Sequence, residues 1–157
     1  MSDATSLRLA HTHVMHLAWP PGEVFPLLCP VREAEWLEGW EARMVHSASG
    51  RAEPGAIFTT PGPGGAEWVW VVSRHEPARA VQFVVHAPGS HVTVLDIALE
   101  PEGAGSRIRW TYTLTALEPG LEAGHRAFMA GTPARLEALE ARLAHLLRTG
   151  TCLLGAP

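Results

Sequence analysis

From Leu7 to Leu17 the chain alternates. Leu7, Leu9, His11, His13, Met15 and Leu17 fall on one side of an extended strand, with Arg8, Ala10, Thr12, Val14 and His16 on the other. Pro20 and Pro21 then stop the extension and suit the first turn of a helix, where a missing N–H leaves no partner wanting. Val24, Phe25, Leu27 and Leu28 predict a short helix closed by Pro30, and a second is predicted over 32–38, ended by Gly39. Six strands follow at 42–47, 56–60, 67–75, 80–86, 91–100 and 107–117, separated by Gly- and Pro-rich breaks short enough for antiparallel hairpins. In the last of them Ile108, Trp110, Tyr112 and Leu114 alternate with Arg107, Arg109, Thr111 and Thr113, so the sheet has an apolar face and a solvated one.

At 120–148 the period changes to that of a helix. Phe128, Met129, Thr132, Leu136, Leu139, Leu143, Leu146 and Leu147 form one stripe, which would run about 45 Å if unbroken. Gly131-Thr132-Pro133 interrupts it, so the sequence predicts either a kink or a separate shorter helix before the break. A sheet and one apolar helix stripe bury each other only if the sheet wraps partly around the helix. The fold class expected is therefore α+β, a curved antiparallel sheet of about seven strands around a long C-terminal helix, with two short helices after the first strand.

The sequence then resembles the helix-grip superfamily, SRPBCC, which includes START lipid-transfer domains, birch-pollen-allergen-like proteins and polyketide cyclases and dehydrases. The resemblance rests on PPGEVFPLL at 20–28, EWLEGW at 35–40, GAIFTT at 55–60, WVWVV at 68–72 and RWTYT at 109–113, and spans residues 7–149. It implies a helix-grip fold with a cavity between sheet and long helix that takes a lipid, sterol, polyketide or similar apolar compound. It carries no catalytic motif over to particular residues, and fold alone does not assign function.

Composition narrows the chemistry. The 157 residues suffice for one core, so 1–157 is expected to be one domain. All 12 basic residues are Arg, and 16 acidic residues give a formal charge of −4, which argues against a nucleic-acid partner. The absence of Lys excludes a lysine Schiff base and a P-loop, and the absence of Asn excludes N-glycosylation. Cys29 and Cys152 form no paired framework, and residues 1–8 lack a basic segment followed by an apolar one, so a cytoplasmic setting is expected. No transmembrane segment and no cofactor are expected, and a homodimer is allowed without being required.

Six Trp against one Tyr suggest rigid aromatic surfaces, and Trp36, Trp68, Trp70 and Trp110 are candidate ligand contacts, with core packing as the competing role. His11 and His13, two apart on one strand face, make half a metal site. Glu33, Glu35, His125 and Cys29 are the only distant ligands to consider, so pocket lining is the expected role and no metal is expected. Glu33 is a candidate polar anchor, Tyr112 a candidate hydrogen-bonding group and Phe128 a further wall. Cys29 reads as a small buried hydrophobe.

Asp96, one of two Asp residues, sits in an apolar strand whose pattern does not settle its face. Asp96, Tyr112 and His125 are the candidate acid/base residues if the protein is an enzyme. The leading expectation is binding of a small hydrophobic or amphipathic ligand. A cyclase or dehydratase using the same cavity is the alternative, as is an interaction module like the Hsp90-activator relatives.

Overall fold

The computed structural model describes residues 6–155; the N-terminal reading on residues 1–8 lies mostly outside them. The order is β1 (Arg8–Leu17), α1 (Pro21–Val24), a 3-10 turn (Phe25–Leu28), a second one (Glu33–Glu35), β2 (Arg43–His46), β3 (Ile57–Pro61), a third 3-10 turn (Pro63–Gly65) and β4 (Glu67–Glu76). Then come β5 (Ala80–Ala87), β6 (His91–Glu102), β7 (Gly105–Ala116), α2 (Glu122–Ala130) and α3 (Thr132–Thr149).

The strands form one curved, antiparallel, seven-stranded sheet ordered β1-β7-β6-β5-β4-β3-β2. Consecutive hairpins build β2 to β7, and β1 closes the far edge against β7. Register shifts between Val72 and Arg74 in β4 and between Met44 and His46 in β2 insert an extra residue, which bends a strand and strengthens its twist.

Pairing across the sheet decides which side of each strand is inside. His13 opposes Trp110 and Trp110 opposes Ile97, while His11 opposes Tyr112 and Tyr112 opposes Leu95. Phe83 continues the row opposite Leu95, and Val72 opposite Phe83. Met15, Phe58, Val72, Ile97, Ile108 and Leu114 are fully buried along this inner face. From the helical side, Leu136 and Leu143 of α3 complete the core, 1% and 0% exposed.

Two local expectations change. The helix predicted over 32–38 is a single 3-10 turn, Glu33–Glu35, and the one at 24–28 is α1 continued as 3-10. Pro26 and Pro30 each remove a backbone donor within a few residues, so no full α-turn can propagate there. The interruption at Gly131 separates two helices: α3 begins with Pro133 in its first turn and ends at Gly150, whose φ of 72° forms a left-handed cap.

Gly105 marks a close approach. A Cβ there would overlap the carbonyl oxygen of Leu17, and next to it the Ser106 hydroxyl donates to the Trp19 carbonyl at 2.6 Å. Gly105→Ala is expected to destabilise by about 2 kcal/mol, because the obstacle is backbone and the strands must part. Urea unfolding checks this, and an unchanged midpoint would refute it.

Candidate functional site

β1 and β7 place four chemistry-bearing side chains in a two-by-two block on the inner face: His11 and His13 from one strand, Tyr112 and Trp110 opposite them. Sheet geometry brings such directly opposed side chains into contact. Three polar atoms of the block are buried without a hydrogen-bond partner: His11 Nε2, His13 Nε2 and Trp110 Nε1. An unmet polar group of this kind costs about 1–3 kcal/mol, so three in adjacent positions ask for partners. The nearest oxygen for His13 Nε2 is Glu140 Oε2 at 3.7 Å, beyond hydrogen-bond length, and the other Glu140 oxygen accepts the His16 backbone N–H at 3.0 Å.

Above this block the sheet, α2 and α3 leave a cleft of about 700 Å³. Tyr112 forms the sheet side, Phe128 the α2 side, and Thr132, Arg135, Leu136 and Leu139 the α3 side. Arg135 is held in the wall by two bonds, donating to the Phe128 carbonyl at 2.7 Å and the Thr132 hydroxyl at 2.5 Å. Its guanidinium also stands 4.0 Å over the Phe128 ring, and burial lowers its pKa.

Glu33 enters from the 3-10 turn. It is half-buried, and desolvation pushes its pKa up to about 8. Tyr112 is half-buried in the same way, and burial, reinforced by the field of Glu33, raises its pKa. The neighbouring Arg32 does not neutralise Glu33, because it forks onto Glu35 at 2.7 and 3.1 Å.

Two aromatic clusters flank the block. Phe58 stacks on Trp70 with centroids 5.3 Å apart, Trp40 and Phe83 meet Trp70 edge-on, and Trp70 Nε1 donates to the Thr60 hydroxyl at 2.9 Å. Trp40 and Thr60 also line a second cleft, of about 760 Å³, bounded by β2, β3 and the 3-10 loops. Toward α2, Trp68 meets His91 at 5.3 Å and His91 meets His125 at 5.2 Å, both edge-on. His125 is the only buried residue of α2, and its Nε2 has no partner.

The sequence candidates therefore separate. His11, His13, Trp110 and Tyr112 lie on the inner side, Phe128 lines the cleft with Tyr112, and Glu33 stands half-buried on its 3-10 turn, outside the cleft lining. Trp70 packs among aromatics, with Trp68 edge-on to His91. Trp36 is a core residue: it is 0% exposed and its Nε1 donates to the Leu27 carbonyl at 2.8 Å, which leaves it no group to offer.

Asp96 does not join Tyr112 and His125. It pairs with Gln82 and Thr111 on the outer side, 3.3 Å from the Gln82 amide, because Leu95 and Ile97 occupy the inner positions of β6. No trio of acid/base groups forms from these three. The residues that pattern reading missed are Arg135 and His91. Of these, His91 heads the series His91, Thr93, Leu95, Ile97, Leu99, which only the burial in the folded sheet shows to be the inward one. Among the described residues no three His, Cys, Asp or Glu gather as a metal site would require. Cys29 and Cys152 are both free and half-buried, and Cys29 Sγ accepts the Ala52 N–H at 3.3 Å.

The His91–His125 contact makes α2 acid-sensitive. Burial and the neighbouring His125 lower the His91 pKa, so its contribution to stability is complete above the ordinary histidine value and is lost as pH falls below it. Glu122 is the acidic group nearest to this pair on α2, and it lies on the exposed side. Amide protection factors in α2 are expected to fall between about pH 7.5 and pH 5 more than those in β6 or β7, and His125→Phe should flatten that difference. An equal fall in all three elements would contradict it.

The architecture defines a helix-grip protein. The sequence matches no protein-family model and no curated protein. Solved structures share the fold. Ara h 8.0201 superposes with a TM-score of 0.62 at 14% identity, covering 87% of this chain and 98% of its own. CalU16 from Micromonospora echinospora gives 0.56 at 18% identity, over 92% of this chain and 90% of that one. DynU16, a protein of the dynemicin biosynthetic locus, gives 0.63 at 19% identity over 90% of this chain and 48% of its own length.

Proposed function

We propose that the chain, acting as one domain of the SRPBCC and START-like type, binds a small hydrophobic or amphipathic molecule in the cleft between β7, α2 and α3. The observation that carries this reading is a cleft of about 700 Å³ whose wall is largely apolar and holds a few polar groups. A wall of Phe128, Leu136 and Leu139 takes apolar surface, while Tyr112, Thr132 and Arg135 are polar groups that can orient a guest. The solved neighbours support it at the level of fold. No helix among the described residues is long and apolar enough to cross a membrane, and two unbonded cysteines accord with a cytoplasmic setting. A cyclase or dehydratase role in this cleft would have to use Tyr112 with Glu137 or Arg135, since Asp96 is turned away.

Titration with the neutral probe N-phenyl-1-naphthylamine tests the reading. A saturable rise in probe emission is expected, with quenching of the protein's own Trp signal. Ala138→Trp, which places an indole in the cleft from α3, should weaken binding about tenfold or more while leaving the far-ultraviolet spectrum unchanged. Absence of saturation in the wild type, or full binding by Ala138→Trp, would refute it.

A further inference from the structure

We propose that the guest carries a carboxylate, and that this head group rests on Arg135 with the Tyr112 hydroxyl beside it, while the apolar body lies along Leu136 and Leu139. This rests on the binding reading above and adds to it the charge of the guest.

Arg135 is a fixed cation without an anion. Both of its hydrogen bonds leave from one nitrogen, Nη2, which donates to the Phe128 carbonyl and the Thr132 hydroxyl, and the guanidinium carbon stands 4.0 Å over the Phe128 ring. These contacts hold the group in the cleft wall and use two of its five N–H donors. Nε and Nη1 have no hydrogen bond among the described residues, and no carboxylate among them forms an ion pair with Arg135. Gly131 belongs to the same arrangement. Its φ of −81° suits any residue, so what the missing side chain supplies is room: a Cβ there would stand 2.9 Å from Nη1.

The rest of the lining fits one negative head on an apolar body. Tyr112 is half-buried in the same lining, and its hydroxyl has no hydrogen bond among the described residues. It stands close enough to Arg135 that the charge of each bears on the proton of the other. A phenol can donate to one carboxylate oxygen while a guanidinium fork engages the pair, a geometry that a point charge does not select. Beyond these groups the wall is Phe128, Leu136, Leu139 and two alanines. Glu137, the one acidic residue of the lining, is exposed and leaves α3 about 200° round the axis from Arg135. A monoanion matches one fixed cation, whereas a phosphate monoester would bring a second negative charge that nothing in the lining meets. The chain's formal charge of −4 repels any anion at long range, so a preference for one has to arise from this local group.

Displacement of N-phenyl-1-naphthylamine by decanoate, decan-1-ol and decylammonium, which share a chain and differ in head group, tests the proposal at about pH 7.5, where the acid and the amine are both charged. Decanoate should displace the probe at about tenfold lower concentration than decan-1-ol, the value of a charge-assisted contact to a donor already held in place. About 0.5 M NaCl should reduce that ratio about threefold. Arg135→Gln should bring the ratio close to one, and Tyr112→Phe should lower it about threefold. Arg126→Gln, which removes an exposed charge of α2 outside the cleft lining, should leave the ratio as in the wild type. Circular dichroism checks that each variant is folded.

Equal displacement by decanoate and decan-1-ol, tighter binding of decylammonium, or a ratio that survives Arg135→Gln overturns the proposal and leaves the binding reading intact. So does a ratio that Arg126→Gln lowers as far as Arg135→Gln does, or a bound probe that yields to none of the three compounds. Should Arg135→Gln fail to fold, a ratio unchanged both in Tyr112→Phe and in high salt overturns it. A probe that never binds overturns both readings.

Discussion

Trp36→Ala is expected to destabilise the protein by about 4–5 kcal/mol, the upper part of the range for large-to-small changes in a core. The indole is fully buried against the cluster that contains Leu28, Phe58 and Val72, and its removal leaves a void that the two 3-10 turns cannot collapse into without losing their anchorage. It also strips the Leu27 carbonyl of its 2.8 Å donor. Trp36→Phe separates the two contributions: it retains most of the volume and should cost about 1–2 kcal/mol, chiefly for the orphaned carbonyl. Because Trp36 offers nothing to a guest, Trp36→Phe should bind N-phenyl-1-naphthylamine as the wild type does. Urea unfolding and the same probe titration check both statements. A stable Trp36→Ala, or a folded Trp36→Phe that no longer binds, would return Trp36 to the list of ligand contacts.

Glu33→Gln should instead stabilise, and only above the ordinary carboxylate range. The carboxyl is raised from 4.5 to about 8 in the folded protein because its charged form is desolvated. In the unfolded chain it ionises at the lower value. Its proton is therefore held by the native state over a window in which the unfolded state has lost it. The wild type is at its best below about pH 4.5 with respect to this group, loses stability as pH rises toward about 8, and changes no further beyond.

Each pH unit of such a window corresponds to about 1.4 kcal/mol, and internal water relieves part of the desolvation, so the difference between wild type and Glu33→Gln should grow to about 3 kcal/mol by pH 9. Urea unfolding at a series of pH values measures it. Parallel stability curves for the two proteins would show that Glu33 is solvated as freely as a surface carboxylate.

These residues also show where the sequence is informative. The alternation Leu9, His11, His13, Met15 and the series Ile108, Trp110, Tyr112, Leu114 assign both strands and their shared face, because successive side chains of a strand point in opposite directions whatever surrounds it. The same rule left Asp96 undecided. Its neighbours on both sides are aliphatic, and only pairing with Gln82 and Thr111 turns it outward. Trp36 and Trp110 are alike in composition and differ in role through one contact: a carbonyl from Leu27 lies within reach of one indole N–H and of no other. The helix expected at 32–38 shrank to a 3-10 turn, and on that turn the charged form of Glu33 is desolvated.

By itself, the order of residues determined the succession of strands and helices, the apolar stripe of α3, and the placing of His11, His13, Trp110 and Tyr112 on one sheet face. All of these follow from periods of two and 3.6 residues, which are local properties of the backbone. Only the tertiary structure decided which polar atoms go unmet, which aromatics are core, and that Tyr112 meets the field of Glu33 from 79 residues away in the chain. Hydrogen-bond satisfaction and desolvation depend on every atom within a few ångströms, and those atoms come from segments that no local pattern relates.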